Sequence, residues 1–399
     1  MNNRIVTILL VLLLLPGLAN ADKYDRQARA LVKKYLLVDT HIDVPYRIHS
    51  EWEDVTQATE KGEFDYPRAV QGGLNVPFMS IYTPASSEND GSAYAVANNL
   101  IDQVEAIVQR APHRFAIASS TQDVQEQFKA GKISLALGME NGAPIQGSLD
   151  KLQHFYDRGV RYVTLAHSES NHISDSSYDK VRLWQGLSPF GAEVVARMNK
   201  LGMMIDISHL SDKAAFEVLA RSKVPVIASH SSAREFVKTE PAFERNMADD
   251  LITALAENGG VMMINFGSSF VTTEAGKYRQ KARPAAAAYA KRRELKMGSP
   301  EMKQFMEDYK RLHPYPFATV AQVADHIDHV KQLVGIDYVG IGSDYDGVGD
   351  TLPVGLKDVS TYPNLVAELL RRGYTDSDIE KLLGANLMRV WKTVEDKAK

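Results

Sequence analysis

Apolar residues along this chain cluster in short runs, and the runs alternate with stretches in which apolar positions recur at helical spacing. Eight runs, at 36–39, 74–82, 133–138, 160–166, 203–207, 224–228, 261–265 and 338–342, are rich in β-branched and aliphatic residues and predict strands. They are continuously apolar and do not alternate with polar residues, as expected of parallel strands covered on both faces. Helices are predicted over 92–109, 189–201, 212–221, 248–258 and 320–334, with two closing helices at 362–372 and 376–390. Strand and helix in regular succession predict an α/β fold, a (β/α)8 TIM-like barrel. A ninth run, 115–118, breaks the count and is read as an accessory strand beside the third.

One interval departs from this rhythm. A strand-to-helix connection normally takes about two to six residues, so 271–316 reads as an insertion near the barrel mouth. Ala285 to Ala288, Lys291-Arg292-Arg293 and residues 302–311 favour helix. Two readings stay open, a lid over the mouth and a solvated decoration. No repeat or low-complexity linker divides the rest, so 22–399 is expected to form one domain.

Residues 1–21 are set apart. Arg4 precedes an apolar run over 5–15, and Ala19-Asn20-Ala21 offers small residues for cleavage, the pattern of a secretory signal. The run falls well short of the roughly 20 residues that cross a bilayer. The expectation is a mature chain starting at Asp22, secreted into a bacterial periplasm and carrying no membrane anchor.

Composition narrows the chemistry. The 399 residues are 44% hydrophobic and 24% charged, enough for a full core. Basic and acidic residues, 46 against 50, are interspersed, which gives no footprint for nucleic acid or an anionic membrane. With no cysteine, disulfides and thiolate catalysis are excluded, and a homodimer would have to form without a disulfide. Any metal must be held by His, Asp and Glu.

Such residues fall at the ends of the apolar runs. His41 and Asp43 follow the first, Glu140 the third, His167 the fourth, His209 the fifth, His230 the sixth and Asp344 the eighth. The C-terminal ends of barrel strands are where barrel enzymes build their sites. Alternation along an extended chain points His41 and Asp43 to one side, so imidazole and carboxylate can share a cation. Glu140, ending an apolar strand, must be paired or metal-bound, and could offer one oxygen to each of two metals; a buried ion pair with an arginine is the other reading. Nitrogen and oxygen donors together suit zinc. His326 and His329 read as a polar helix face, and Asp344-Tyr345-Asp346-Gly347 lacks the spacing of a calcium loop.

Seven ordered motifs carry a resemblance: Asp39-Thr40-His41-Ile42-Asp43, Gly138-Met139-Glu140-Asn141-Gly142, Thr164-Leu165-Ala166-His167-Ser168, Asp206-Ile207-Ser208-His209, Ser229-His230-Ser231-Ser232-Ala233, Arg245-Asn246, and Gly340 through Gly347. Over nearly all of its mature length the chain resembles the renal (membrane) dipeptidases. The resemblance implies two zinc ions, one held by His41 and Asp43, the other by His209 and His230, with Glu140 bridging. It makes His167 a substrate and oxyanion contact, Arg245 the grip on the dipeptide's C-terminal carboxylate, and Asp344 the group that moves protons. A hydroxide shared by the metals would then cut the amide bond of small dipeptides, including those with a C-terminal D-residue.

Three departures bear on substrate preference. The interval from His230 to Arg245 is about four residues longer than in mammalian members, which leaves Arg234 as an alternative anchor. Phe270 stands where those members carry tyrosine, and the insertion begins just after it. Arg245 also has Glu240, Glu244 and Asp249 nearby in sequence, so a surface ion pair is a second reading of that residue. Two rival functions remain at this stage: deamination or lactone hydrolysis on the same architecture, and zinc binding without catalysis.

Overall fold

The computed structural model describes residues 16–239, 244–296 and 298–398, with side chains from residue 23 onward. Most of the expected signal segment, and Glu240, lie outside the described residues. Nine strands form one sheet: β1 (Leu37–Ile42), β2 (Leu74–Tyr82), β3 (Phe115–Ile117), β4 (Ile133–Glu140), β5 (Val160–Thr164), β6 (Met204–Asp206), β7 (Ile227–Ser231), β8 (Val261–Ile264) and β9 (Val339–Ile341). Eight follow one another in the order β1-β2-β4-β5-β6-β7-β8-β9, all parallel, and β3 pairs with β4 off this path, as expected of an accessory strand. The path closes on itself just past β9. There Asp344 N donates to His41 O at 3.1 Å and Asp43 N to Tyr345 O at 2.8 Å. This is the expected (β/α)8 barrel.

Parallel pairing also levels the strand ends. Tyr82 lies opposite Glu140, Glu140 opposite Thr164, and Thr164 opposite Asp206, so polar residues far apart in sequence form one belt at the C-terminal rim. The other end of the barrel is apolar. Val38, Val76, Phe78, Ala136, Tyr162, Met204, Ile227, Val261 and Met263 pack with Leu387, Val390, Trp391 and Val394 of the helix Asn386–Asp396, which covers that end. Truncating the fully buried Trp391 there would cost about 3–5 kcal/mol.

Three expectations need correction. The sixth main strand was expected at 224–228 but spans Ile227–Ser231. Pro225 has no N–H to give a ladder, and pairing continues through the polar Ser229-His230-Ser231. The helix expected over 376–390 runs to Asp396 and is interrupted by a π turn at Lys381–Ala385. Gly384 packs there against the Leu36 carbonyl, which a Cβ would approach to 2.5 Å. His326 is not on a polar face: it is fully buried, Nδ1 accepting from Ala233 N at 3.0 Å and Nε2 facing Val271 O at 3.0 Å.

The insertion is helical. Ser268–Val271 and Thr273–Arg293 follow β8, and Pro300–Leu312 leads back toward the helix Val320–Val334. Among the described residues no helix is long and apolar enough to cross a membrane.

Candidate metal centre

All seven strand-end residues singled out in the sequence come together at the rim. Glu140 lies at their middle and divides its oxygens: Oε2 is 3.5 Å from His41 Nε2, while Oε1 is 3.1 Å from His209 Nε2 and 3.2 Å from His230 Nε2. His41 Nε2 is also 3.4 Å from Asp43 Oδ2, so the two side chains share a side as alternation predicted. No arginine pairs with Glu140 among the described residues, which removes the ion-pair reading. His167 Nε2 approaches Glu140 Oε1 at 3.4 Å. Donor atoms meet within 4.8 Å in three overlapping triads: His41, Glu140 and His230; Glu140, His167 and His209; His41, Asp43 and Asp344.

Hydrogen bonds behind the histidines fix which nitrogen faces inward. The Tyr162 hydroxyl donates to Thr40 O at 2.9 Å, so it must accept from His41 Nδ1, also at 2.9 Å. In the neutral imidazole Nε2 then carries the lone pair, and it is buried without a hydrogen-bond partner. In the same way Ser229 Oγ donates to Asp206 Oδ2 at 2.5 Å and accepts from His230 Nδ1 at 2.7 Å. His230 Nε2 therefore presents a lone pair to His209 Nε2, 2.8 Å away. Lone pairs aimed at the Glu140 and Asp43 carboxylates repel them unless a proton or a cation lies between. Hydrogen bonds that set a ligand tautomer in this way are the usual support of metal-binding histidines. The residues fit a metal.

Local structure keeps these groups free. Asp43 caps the helix Val44–Ser50 by position, but its side chain makes no capping hydrogen bond. Asn141, His209 and Asp344 adopt positive φ angles of 79°, 68° and 65°, uncommon for residues with a Cβ and typical of functional turns. Gly347 is required by close approach: a Cβ there would lie 2.2 Å from Asp43 Oδ2 and 2.4 Å from Asp344 Oδ1.

Electrostatics point the same way. Burial raises Glu140 to about 7, with Asp43 and Asp344 adding to the rise and His41 opposing it. Asp344 is raised by burial and by Asp43. Burial opposes charge on His41, but Tyr162, Glu140 and Asp43 outweigh it and hold the imidazole well above its ordinary value. Crowded buried carboxylates thus recruit a proton, which a divalent cation would displace. His167 is pushed down to about 3 by burial and then by Arg245, so it is neutral at physiological pH.

A cavity of about 650 Å³ opens onto this cluster, lined by Tyr82, Tyr178 and Phe270 and by Asp346 to Val348. Arg245 does not line it. Its guanidinium is 2% exposed and lies 5.2 Å from the Phe270 ring, donating to Ser231 Oγ at 3.0 Å and His230 O at 2.6 Å. It has no carboxylate partner among the described residues: Glu244 pairs with Arg182 and Asp249 with His329. That removes Glu244 and Asp249 as its partners, while Glu240 lies outside the described residues. Arg234 is committed to Asp212 through two bonds of 2.5 and 2.8 Å, which removes it as an anchor. Asp346 pairs with Arg47 at 3.0 Å.

Sequence reasoning missed Tyr162, Asp206 and Ser229, which orient histidines from behind, and Arg279 and Arg283, which reach the cavity from the insertion. Asp206 stood inside a quoted motif at a strand end, a signal that could have found it. Tyr162 looks like any core aromatic.

A sequence profile of the family described as membrane dipeptidase (peptidase family M19) matches residues 25–399. Dipeptidase verJ of Clonostachys rogersoniana is 33% identical over 393 residues, covering 95% of this chain and 89% of that protein. Dipeptidase tcpJ of Claviceps purpurea is 34% identical over 344 residues, 84% of this chain and 70% of that one. Among solved structures, the probable dipeptidase PvdM from Pseudomonas aeruginosa superposes with a TM-score of 0.80 at 28% identity, over 94% of this chain and all (100%) of that one. The chain belongs to the membrane dipeptidase family, peptidase family M19, and is a metallo-dipeptidase.

Proposed function

We propose that this metallo-dipeptidase binds two zinc ions, His41 and Asp43 holding one, His209 and His230 the other, and Glu140 giving one oxygen to each. The observation that carries this reading is the division of Glu140, one oxygen toward His41 and the other toward His209 and His230. Cations held there supply Lewis acidity for an amide carbonyl and lower the pKa of water.

The chain's own residues do the rest. Asp344, held by Asn265 Nδ2 at 2.7 Å and raised by burial, takes the proton of the attacking water and hands it to the leaving amine. His167, neutral because it is buried, donates a hydrogen bond to the oxygen on which charge develops. Arg245 is a buried cation with no carboxylate partner among the described residues, 5.2 Å from the ring of the cavity-lining Phe270; a shift of that ring brings it to the free C-terminal carboxylate of a dipeptide, which its planar fork suits. A clamp on the carboxylate fixes placement more than side-chain handedness does, so a C-terminal D-residue is accepted. We further propose that the enzyme acts in a bacterial periplasm after loss of residues 1–21.

The test is a substrate panel on purified, zinc-quantified enzyme. Free L,L and L,D dipeptides should be cut and C-terminally amidated ones poorly; Arg245→Ala should narrow that difference. Equal rates on free and amidated dipeptides would remove Arg245 from its role. Turnover of lactones or nucleobases in preference to dipeptides would replace the reaction.

A further inference from the structure

The helix Thr273–Arg293 brings two arginines to the substrate cavity, Arg279 half-buried and Arg283 at the exposed rim. They are four residues apart and so lie on one helix face, where like charges repel. Neither has a carboxylate partner among the described residues. Arg279 lies over the rings of Tyr178 and Phe270, at 5.7 and 5.4 Å. Burial lowers the Arg283 pKa, and Arg279 lowers it further. Arg279 lines the same cavity as His167 and Glu140. Two guanidinium groups thus face a cavity with an acidic floor, and no carboxylate among the described residues neutralises either. Their arrangement suits an anionic group brought in by a ligand.

Position decides which group. The Phe270 ring lies 5.2 Å from Arg245, the carboxylate anchor, and 5.4 Å from Arg279 of the insertion. A second cavity of about 290 Å³, lined by Tyr178, Thr239, Ser269, Gly276 and Pro284, shares Arg279 and Arg283 with the first. Arg245 and Arg279 thus share the Phe270 ring, which puts the arginine pair beside the C-terminal residue of a dipeptide held at Arg245.

We propose that Arg279 and Arg283 form a second anion-recognition subsite, selecting dipeptides whose C-terminal residue carries an acidic side chain. This rests on the dipeptide reading above and on Arg245 as the main-chain anchor.

The test uses isosteric pairs that differ in charge alone, Ala-Glu against Ala-Gln and Ala-Asp against Ala-Asn, on the zinc-loaded enzyme. In the wild type the acidic member should have a kcat/KM at least about tenfold higher, the worth of one charge-assisted hydrogen bond, and the difference should lie in KM. Arg279→Gln with Arg283→Gln should bring the ratio to about one, and Arg279→Lys with Arg283→Lys should retain part of it, since charge stays and the fork is lost. Equal kcat/KM within each pair in the wild type overturns the proposal. So does an equal loss on both members in the double Gln variant, which would make these arginines the main-chain anchor. If the wild type cuts none of the four, the hydrolytic reading fails separately. Calorimetric binding of Ala-Glu and Ala-Gln then decides: a charge preference abolished by the double Gln variant supports the subsite, and equal binding overturns it.

Discussion

Removing one hydroxyl behind the metal cluster should weaken metal binding without touching a ligand. Tyr162 is fully buried, its hydroxyl kept protonated by burial, and it bonds Thr40 O and His41 Nδ1, both at 2.9 Å. In Tyr162→Phe both partners lose that bond, at about 1–3 kcal/mol for each buried group left unpaired. The larger consequence is chemical. In the neutral imidazole, the form that binds a metal, the proton without an acceptor at Nδ1 moves to Nε2, where Glu140 Oε2 and Asp43 Oδ2 wait at 3.5 and 3.4 Å. The lone pair then points away from the site, and binding must first return the proton. Losing such an orienting partner typically lowers metal affinity tenfold to a hundredfold.

The assay is zinc competition against a chromophoric chelator, run beside thermal unfolding. Tyr374→Phe is the control, because its hydroxyl donates to Asp328 at 2.8 Å on the outside of the barrel. The expected result is weaker zinc binding in Tyr162→Phe alone, with a lower Tm in both variants. Wild-type zinc affinity in Tyr162→Phe, whatever its Tm, would refute the tautomer argument.

Two further outcomes are expected. Asp344→Asn should keep its metal content, measured by elemental analysis, and lose at least about a hundredfold in kcat, since its task is proton transfer; unaltered turnover would reject the role. In the metal-free protein, stability should fall on both sides of a maximum just acid of neutrality, as followed by Tm against pH: His167 at about 3 and His326 at about 4, both lowered by burial, take up protons on unfolding in acid, while Glu140 at about 7 and Glu63 at about 9, both raised by burial, must hold protons that the unfolded chain releases as pH rises. Saturating zinc should remove the part of the alkaline slope due to Glu140 and leave that due to Glu63; an unchanged slope would count against Glu140 as a ligand.

Strands were legible where the core alone dictates sequence. The run at 74–82 coincides with β2, because both faces are covered and its polar members, Asn75 and Ser80, stand singly among apolar residues. Legibility failed where function enters the strand. β1 continues through Asp39-Thr40-His41, β4 through Glu140 and β7 through Ser229-His230-Ser231, polar residues that hydrophobic patterning reads as strand ends. The seven rim residues could be found because parallel strands all deliver their C-termini to one face. Tyr162 could not, since a buried aromatic on a strand gives no sign of what its hydroxyl meets. Arg279 and Arg283 were illegible for another reason: composition predicts helix in the insertion, but the path of that helix across the mouth depends on packing far from it in sequence.

The loop after β9 shows why closure of the barrel and the chemistry of its rim cannot be separated. Asp344 reaches the cluster from a residue at φ 65°, and Asp346 at φ 64° follows two positions later, each at a cost of about 1–3 kcal/mol. Such a conformation persists only if its surroundings hold it. Asp344 N donates to His41 O and Tyr345 O accepts from Asp43 N, so the ligand pair's own backbone holds the loop on either side of Ile42. Asp346 Oδ1 accepts from Glu63 N at 2.6 Å and Asp346 N donates to Glu63 Oε2 at 2.6 Å, tying the loop to the segment before β2. The bonds that join the last strand to the first are therefore the same bonds that set Asp344 beside His41 and Asp43. A change that slips this register by one residue, or a side chain at Gly347, would open the barrel seam and displace the proton-handling carboxylate together, so loss of stability and loss of turnover in such variants would share one cause.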